Sequence, residues 1–228
     1  MASSAKVTAN EALQKSNEAL NKINNLPDLE QYGEIITVAK EGAKHATIND
    51  AILEAKTKLA ENPWQRILIL VVDCNIYDEE ITLLSNPGID MAGFGAIIRH
   101  NSTYPHAPLY TTGRGTFTGL IFENYNQTTG DTPSYALHFD YNNEGASASG
   151  ETKFINCQFT AINSHSVGIG MGPDVNLFFE NCFFYSTTHS GCYIHNSPFE
   201  AQNQIARFSN CQFHSNATNW PAFLVEDA

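Results

Sequence analysis

Positive charge is scarce in this chain of 228 residues, and scarcest in its later part. Of 24 acidic residues, sixteen lie from Glu61 onward, where they face only Arg66, Arg99, Arg114, Lys153 and Arg207. Nucleic-acid binding needs clustered Lys and Arg to neutralise phosphates, and a net charge of −12 argues against it. An anionic membrane surface is disfavoured on the same ground. Long apolar runs are missing too. No window approaches the roughly 18 apolar residues of a spanning helix, and "RILILVV" (Arg66–Val72) has the length of a buried strand. The opening "MASSAKVTANEALQKSNEAL" lacks the apolar core of a signal peptide, so the chain is expected to be made and folded in a cytoplasm. Cysteine is sparse and odd in number, at Cys74, Cys157, Cys182, Cys192 and Cys211. There is no CxxC pair and no His pair at helical ligand spacing, so neither a metal nor another cofactor is expected.

What is present is aromatic and repetitive. Fourteen Phe and nine Tyr among many Asn, Ser and Thr favour strands and turns. "FINCQF" (Phe154–Phe159), "FENCFF" (Phe179–Phe184) and "FSNCQF" (Phe208–Phe213) repeat one pattern, with a weaker echo, "FENYNQ", at Phe122–Gln127. A helix-free repeat of this period is expected to be one coil of a parallel β-helix, stacked on its neighbours at the strand spacing of about 4.8 Å. Alternating Phe side chains point inward and stack. The Asn occupies a corner whose left-handed backbone it tolerates. Asn124, Asn156, Asn181 and Asn210 are therefore expected to form one internal amide ladder, in which Asn181→Leu would cost on the order of 1–3 kcal/mol. Cys157, Cys182 and Cys211 follow them as small, soft core residues, expected to stack as free thiols.

Two helical patterns precede the repeat. Ala5, Ala9, Ala12, Ser16, Ala19, Ile23 and Leu26 alternate steps of three and four, a heptad stripe stopped by Pro27. It reads either as a helix packed on its own domain or as a stalk for a homotrimer. After a short strand at Ile35–Val38, "TINDAILEAKTKLA" is a second helix, with Thr47 as its cap and Asp50 in its first turn. The expected division is residues 1–27 as a heptad helix for oligomerisation or attachment and residues 34–228 as the β domain.

The segment "ITVAKEGAKHATINDAILEA…RILILVVDCNIYDEEITLL…PGIDMAGFG" resembles the opening of pectinesterase-like and pectate-lyase-like proteins. Those have a strand, V-A-x-x-G, a capping helix T-I-x-x-A-I, a buried strand, Y-x-E-x-I and a Gly-rich turn. The resemblance spans about Ile35 to Ala228 and implies an all-β, right-handed parallel β-helix of the pectin-lyase-like type, with an N-terminal α-helix and a short capping helix. Small members preceded by a heptad helix resemble phage tail spikes and tail fibres, usually trimers.

The catalytic residues of that family do not carry over. Where pectinesterases have a Gln-bearing strand this chain has "SYALHF", and after the first Phe-Asn-Cys it has "TAINSHS", without Asp. Counted back from Cys182, the family's catalytic Asp falls near Ile169 in "VGIGMG". Lyase chemistry needs clustered acids for calcium and a basic residue, whereas Arg114, Lys153 and Arg207 stand isolated along the sequence. The remaining candidates for chemistry are Asp140, Asp174 and His165, with Glu144, His189 and His195; solvated loop residues are the plainer reading of all of them. The expectation is a phage tail fibre, tail spike or baseplate-type protein, located in the virion. It would bind a host cell-surface polysaccharide as a homotrimer, attached to other tail or baseplate proteins. A polysaccharide-degrading lyase or hydrolase of the same fold and a bare structural spacer are the alternatives.

Overall fold

A computed structural model of the chain describes residues 28–103, 105–126, 133–140, 150–170, 175–195 and 205–226. The heptad stripe, Glu144 and Asp174 lie outside these residues. After a short 3-10 turn at Leu29–Gln31, eighteen β-strands and one helix, α1 (Ile48–Glu61), follow in the described chain.

From Ile67 onward the chain visits three sheets in unvarying cyclic order, and every strand pairing is parallel. Sheet 1 runs through Ile67–Val71, Ile89–Gly93, the second half of Leu109–Thr118, Gly150–Ile155, Val175–Glu180 and Ile205–Ser209. Sheet 2 runs from Ile76–Asp78 to Gln212–Ser215, and sheet 3 from Ile81–Pro87 to Phe223–Val225. The strand Leu109–Thr118 bends through sheets 3 and 1, which joins them edge to edge. Parallel strands need crossovers, and here the other two sheets supply them. Such an arrangement fits a parallel β-helix.

Register shows why the sequence builds this interior. Ile36, Ile69, Met91, Phe117, Phe154, Phe179 and Phe208 form one inward column of sheet 1. Tyr77, Ile98, Phe122, Phe159, Phe184 and Phe213 form that of sheet 2. In sheet 1 the rings stack at 5.0 Å from Phe117 to Phe208. In sheet 2 they stack at 5.5, 5.3 and 4.7 Å from Phe122 to Phe213. Phe154 meets Phe159 edge-on at 5.4 Å, and Phe179 meets Phe184 at 5.2 Å, so two offset stacks interlock in the geometry that ring quadrupoles favour.

Helix α1 covers this interior beside the first strands, burying Ile48, Ala51, Ile52, Ala55 and Leu59. Thr47 Oγ1 accepts from Asp50 N at 3.2 Å. The Glu79 carboxylate, from the Tyr-x-Glu-x-Ile stretch, takes the amides of Ile48 (3.0 Å) and Asn49 (2.8 Å). A carboxylate there satisfies orphan donors and complements the helix dipole.

The Asn ladder needs correction in two respects. The corner from sheet 1 to sheet 2 has positive φ at Gly119 (66°), Asn156 (55°), Asn181 (53°) and Asn210 (52°). Pairing Phe117 with Phe154 and Phe122 with Phe159 makes "FTGLIF" (Phe117–Phe122), not "FENYNQ", the counterpart of "FINCQF". Asn124 instead pairs with Ala161, at the corner leading to sheet 3. Moreover, Asn156, Asn181 and Asn210 are exposed, because a left-handed corner turns Cβ away from the interior. Their ladder is made by the backbone: Gly119, Asn156 and Asn181 each donate their amide, at 2.9 Å, to the carbonyl just before the next corner.

The thiols occupy the position after each corner. Cys157 and Cys182 are buried, Cys211 is half-buried, and all five cysteines are free. Each of the three donates to a Phe carbonyl of the preceding coil: Cys157 to Phe117 (3.4 Å), Cys182 to Phe154 (3.3 Å) and Cys211 to Phe179 (3.5 Å). The neighbouring Cys157 thiol, with burial, pushes the Cys182 thiol up, and burial does the same for Cys192 and Cys211. Such thiols resist attack, since the thiolate is the nucleophile. Titration with a thiol reagent should give one fast group, the exposed Cys74, rising to five on denaturation without reductant. A denatured count of three would mean a disulfide.

Candidate functional site

The outward face of sheet 3 carries a column of rings broken by a glycine. Tyr110, His138, Gly168, Tyr193 and Leu224 are in register. Tyr110 and His138 stack at 4.7 Å. The gap at Gly168 is filled by Tyr135, whose ring lies 2.6 Å from where a Cβ at that position would stand. Any other residue in "VGIG" would displace that ring. Ile169, the position matched to the family's catalytic Asp, packs in the interior.

Two loops ending sheet 2 add histidines above this face, and hydroxyls hold them. Ser186 Oγ donates to Ser164 O at 2.6 Å and accepts from His189 N at 2.9 Å. Ser215, one coil on in the same register, donates to His189 O at 2.6 Å. Asn124 occupies the same column and is the amide that does lie inside, 1% exposed, donating to Ser102 O and Tyr135 O at 2.9 Å each. It thereby holds the loop bearing Tyr135.

These supports converge on a cleft of about 320 Å³ lined by Tyr135, Asn163, His165, His189, Tyr193, Trp220 and Glu226, among others. His165, 7% exposed, is its centre. Its ring stacks on Tyr193 at 4.5 Å and meets His189 and Trp220 edge-on at 5.0 Å each. Ser190 N donates to His165 Nδ1 at 3.1 Å, which places the proton on Nε2. Burial, with His189 and His195 nearby, lowers the His165 pKa to about 3, and burial lowers that of His189. Tyr193 donates its hydroxyl to Glu226; burial and that bond raise its pKa to about 12. At neutral pH the described lining is therefore aromatic and uncharged apart from Glu226. Flat rings with a few fixed polar groups make a surface suited to an amphipathic ligand.

Of the sequence candidates, His165 and His189 meet in this cleft. His195 ends the strand Cys192–His195, its ring 5.2 Å from Tyr193. Asp140 ends the strand Leu137–Asp140, paired with Gly170. Sequence reasoning missed Tyr135, Tyr193, Trp220 and Glu226. The one local signal was the dipeptide His-Ser at 165–166 and 189–190, which also occurs at 214–215 on a strand of sheet 2. No family model matches the chain, and neither does any curated protein or solved structure.

Proposed function

We propose that this chain is the glycan-binding body of a phage tail fibre, tail spike or baseplate component, a right-handed pectin-lyase-like β-helix working as a homotrimer in the virion. The cleft on sheet 3 is the observation that carries the reading. A pyranose ring offers an apolar face to Trp220 and Tyr193 and hydroxyls to Asn163, His165 Nε2 and Glu226. The cyclic order of the three parallel sheets supports the β-helix, and the heptad stripe supports the trimer. A hydrolase normally flanks the scissile bond with two carboxylates. The described lining holds one, Glu226, which supports binding rather than cleavage. Shortened oligosaccharides after incubation with host glycans would reverse that choice.

Trp220→Ala tests the site. Truncating a central aromatic anchor costs about 2 kcal/mol, roughly thirty-fold in affinity. Titration of the full chain with neutral oligosaccharides from a host surface, followed by calorimetry, should show that loss with an unchanged melting temperature. If no neutral glycan binds saturably, or the variant binds as tightly as the parent, the reading fails.

A further inference from the structure

Arg66, Arg114, Lys153 and Arg207, isolated along the sequence, are gathered by the fold along sheet 1: Lys153 and Arg207 on its strands, Arg66 just before Ile67–Val71, and Arg114 where Leu109–Thr118 passes from sheet 3 into it. Arg66, Arg114 and Lys153 line a groove of about 860 Å³ with Trp64 and Asp90. That groove shares Glu151, Lys153 and Ile155 with a depression of about 420 Å³ lined by Phe178, Glu180 and Arg207. Together these linings hold four cations and three carboxylates, Asp90, Glu151 and Glu180. The remainder of the chain from Glu61 holds Arg99 against thirteen acidic residues. Cations in this part of the chain are thus concentrated on one face.

Two of the three carboxylates are already engaged. Asp90, 1% exposed, accepts from the Arg66 guanidinium and from Thr116 N (2.7 Å). It fixes Arg66, whose other arm donates to Gln31 Oε1 at 2.5 Å. Glu151 pairs with Lys153 at 2.6 Å, but both are about half exposed, and such a surface pair is worth little against a competing anion. Lys153, Phe178 and Arg207 are in register on successive strands. That places Lys153 and Arg207 about 9–10 Å apart along the axis with a ring between them. Arg207 lies over that ring, 5.7 Å from its centre, and Trp64 stands 94% exposed at the other end.

We propose that this face is a second binding groove, distinct from the sheet 3 cleft, for an anionic glycopolymer. Carboxylate or phosphodiester groups of the polymer pair with Lys153 and Arg207, and its sugar faces lie on Trp64. Spaced anions separated by neutral rings match spaced cations separated by an aromatic ring. A nucleic acid, with a charge on every unit, would be repelled by the acidic surroundings.

Calorimetry on the full chain tests this with four short probes: an oligosaccharide alternating glucuronic acid and N-acetylglucosamine, an oligosaccharide of neutral disaccharide units joined by phosphodiesters, a neutral cello-oligosaccharide and oligo-dT. At least one of the first two should bind saturably and weaken with added salt, and which of them binds identifies the anion. The double variant Lys153→Gln/Arg207→Gln, with an unchanged melting temperature, should bind it at least about tenfold more weakly. Trp220→Ala should leave it unaffected, which separates this groove from the cleft. The proposal is overturned if neither anionic probe binds, if the double variant binds like the parent, if Trp220→Ala abolishes binding, or if oligo-dT binds more tightly.

Discussion

Phe179→Ala should lower the unfolding free energy by about 3–5 kcal/mol, a large share of what a domain of this size possesses. Phe179 is 1% exposed and stacks on Phe154 and Phe208 at 5.0 Å on either side, while Phe184 and Phe159 meet it edge-on at 5.2 and 6.0 Å. Its neighbours are held by their own strands, so the void would not collapse. Phe213→Ala is the control, because that ring, in the last described coil, is only half-buried and packs from fewer sides. Urea unfolding followed by circular dichroism should give Phe213→Ala a clearly smaller loss. Equal losses would mean that the ring columns do not carry the stability.

Gly119→Ala should be comparably damaging for a different reason. Its φ of 66° costs an L-residue roughly 1–2 kcal/mol. The added Cβ would also lie 2.3 Å from Gly93 O, a backbone atom that moves only if its strand moves. A total loss of about 3 kcal/mol or more is expected. At Asn181, the same corner two turns further from the helix end, Gly should be nearly neutral. Leu there should cost roughly 1–2 kcal/mol through the backbone rather than through a lost internal amide. A tolerated Gly119→Ala would show that the two coils sit further apart than described.

These two positions show what could be read from the residues and what could not. Phe at the ends of each repeat was legible because period-two alternation decides which side chains enter a strand-built core. The corner was legible as a left-handed position, but the side chain there was assigned to the wrong side. Matching on Asn also led to Phe122–Gln127, when the physical requirement, a positive φ followed by an inward apolar residue, was met by Gly119 and Leu120. The sheet 3 cleft was harder. Its parts come from Tyr135, His165, His189, Tyr193, Trp220 and Glu226, on successive coils, and whether they meet depends on loop lengths rather than on any local pattern. The same holds for Arg66, Arg114, Lys153 and Arg207, which proximity in the chain separates and coil stacking assembles.

The three corners of each coil differ in what they tolerate. From Phe117, Phe154, Phe179 and Phe208 the next inward Phe always follows at the same interval, and a residue added there would rotate one ring column against the other. The corner into sheet 3 has no such lock: Asn124 to Leu137 is a far longer connection than Ala161 to Val167, though both join paired strands. One seam is therefore a fixed gauge and another is adjustable, and the rings of the sheet 3 cleft hang from the adjustable one. A lineage under pressure to recognise a changing surface can lengthen, shorten or exchange those spans while the stacked interior keeps its register. Specificity and foldability are thus mutable almost independently in this architecture.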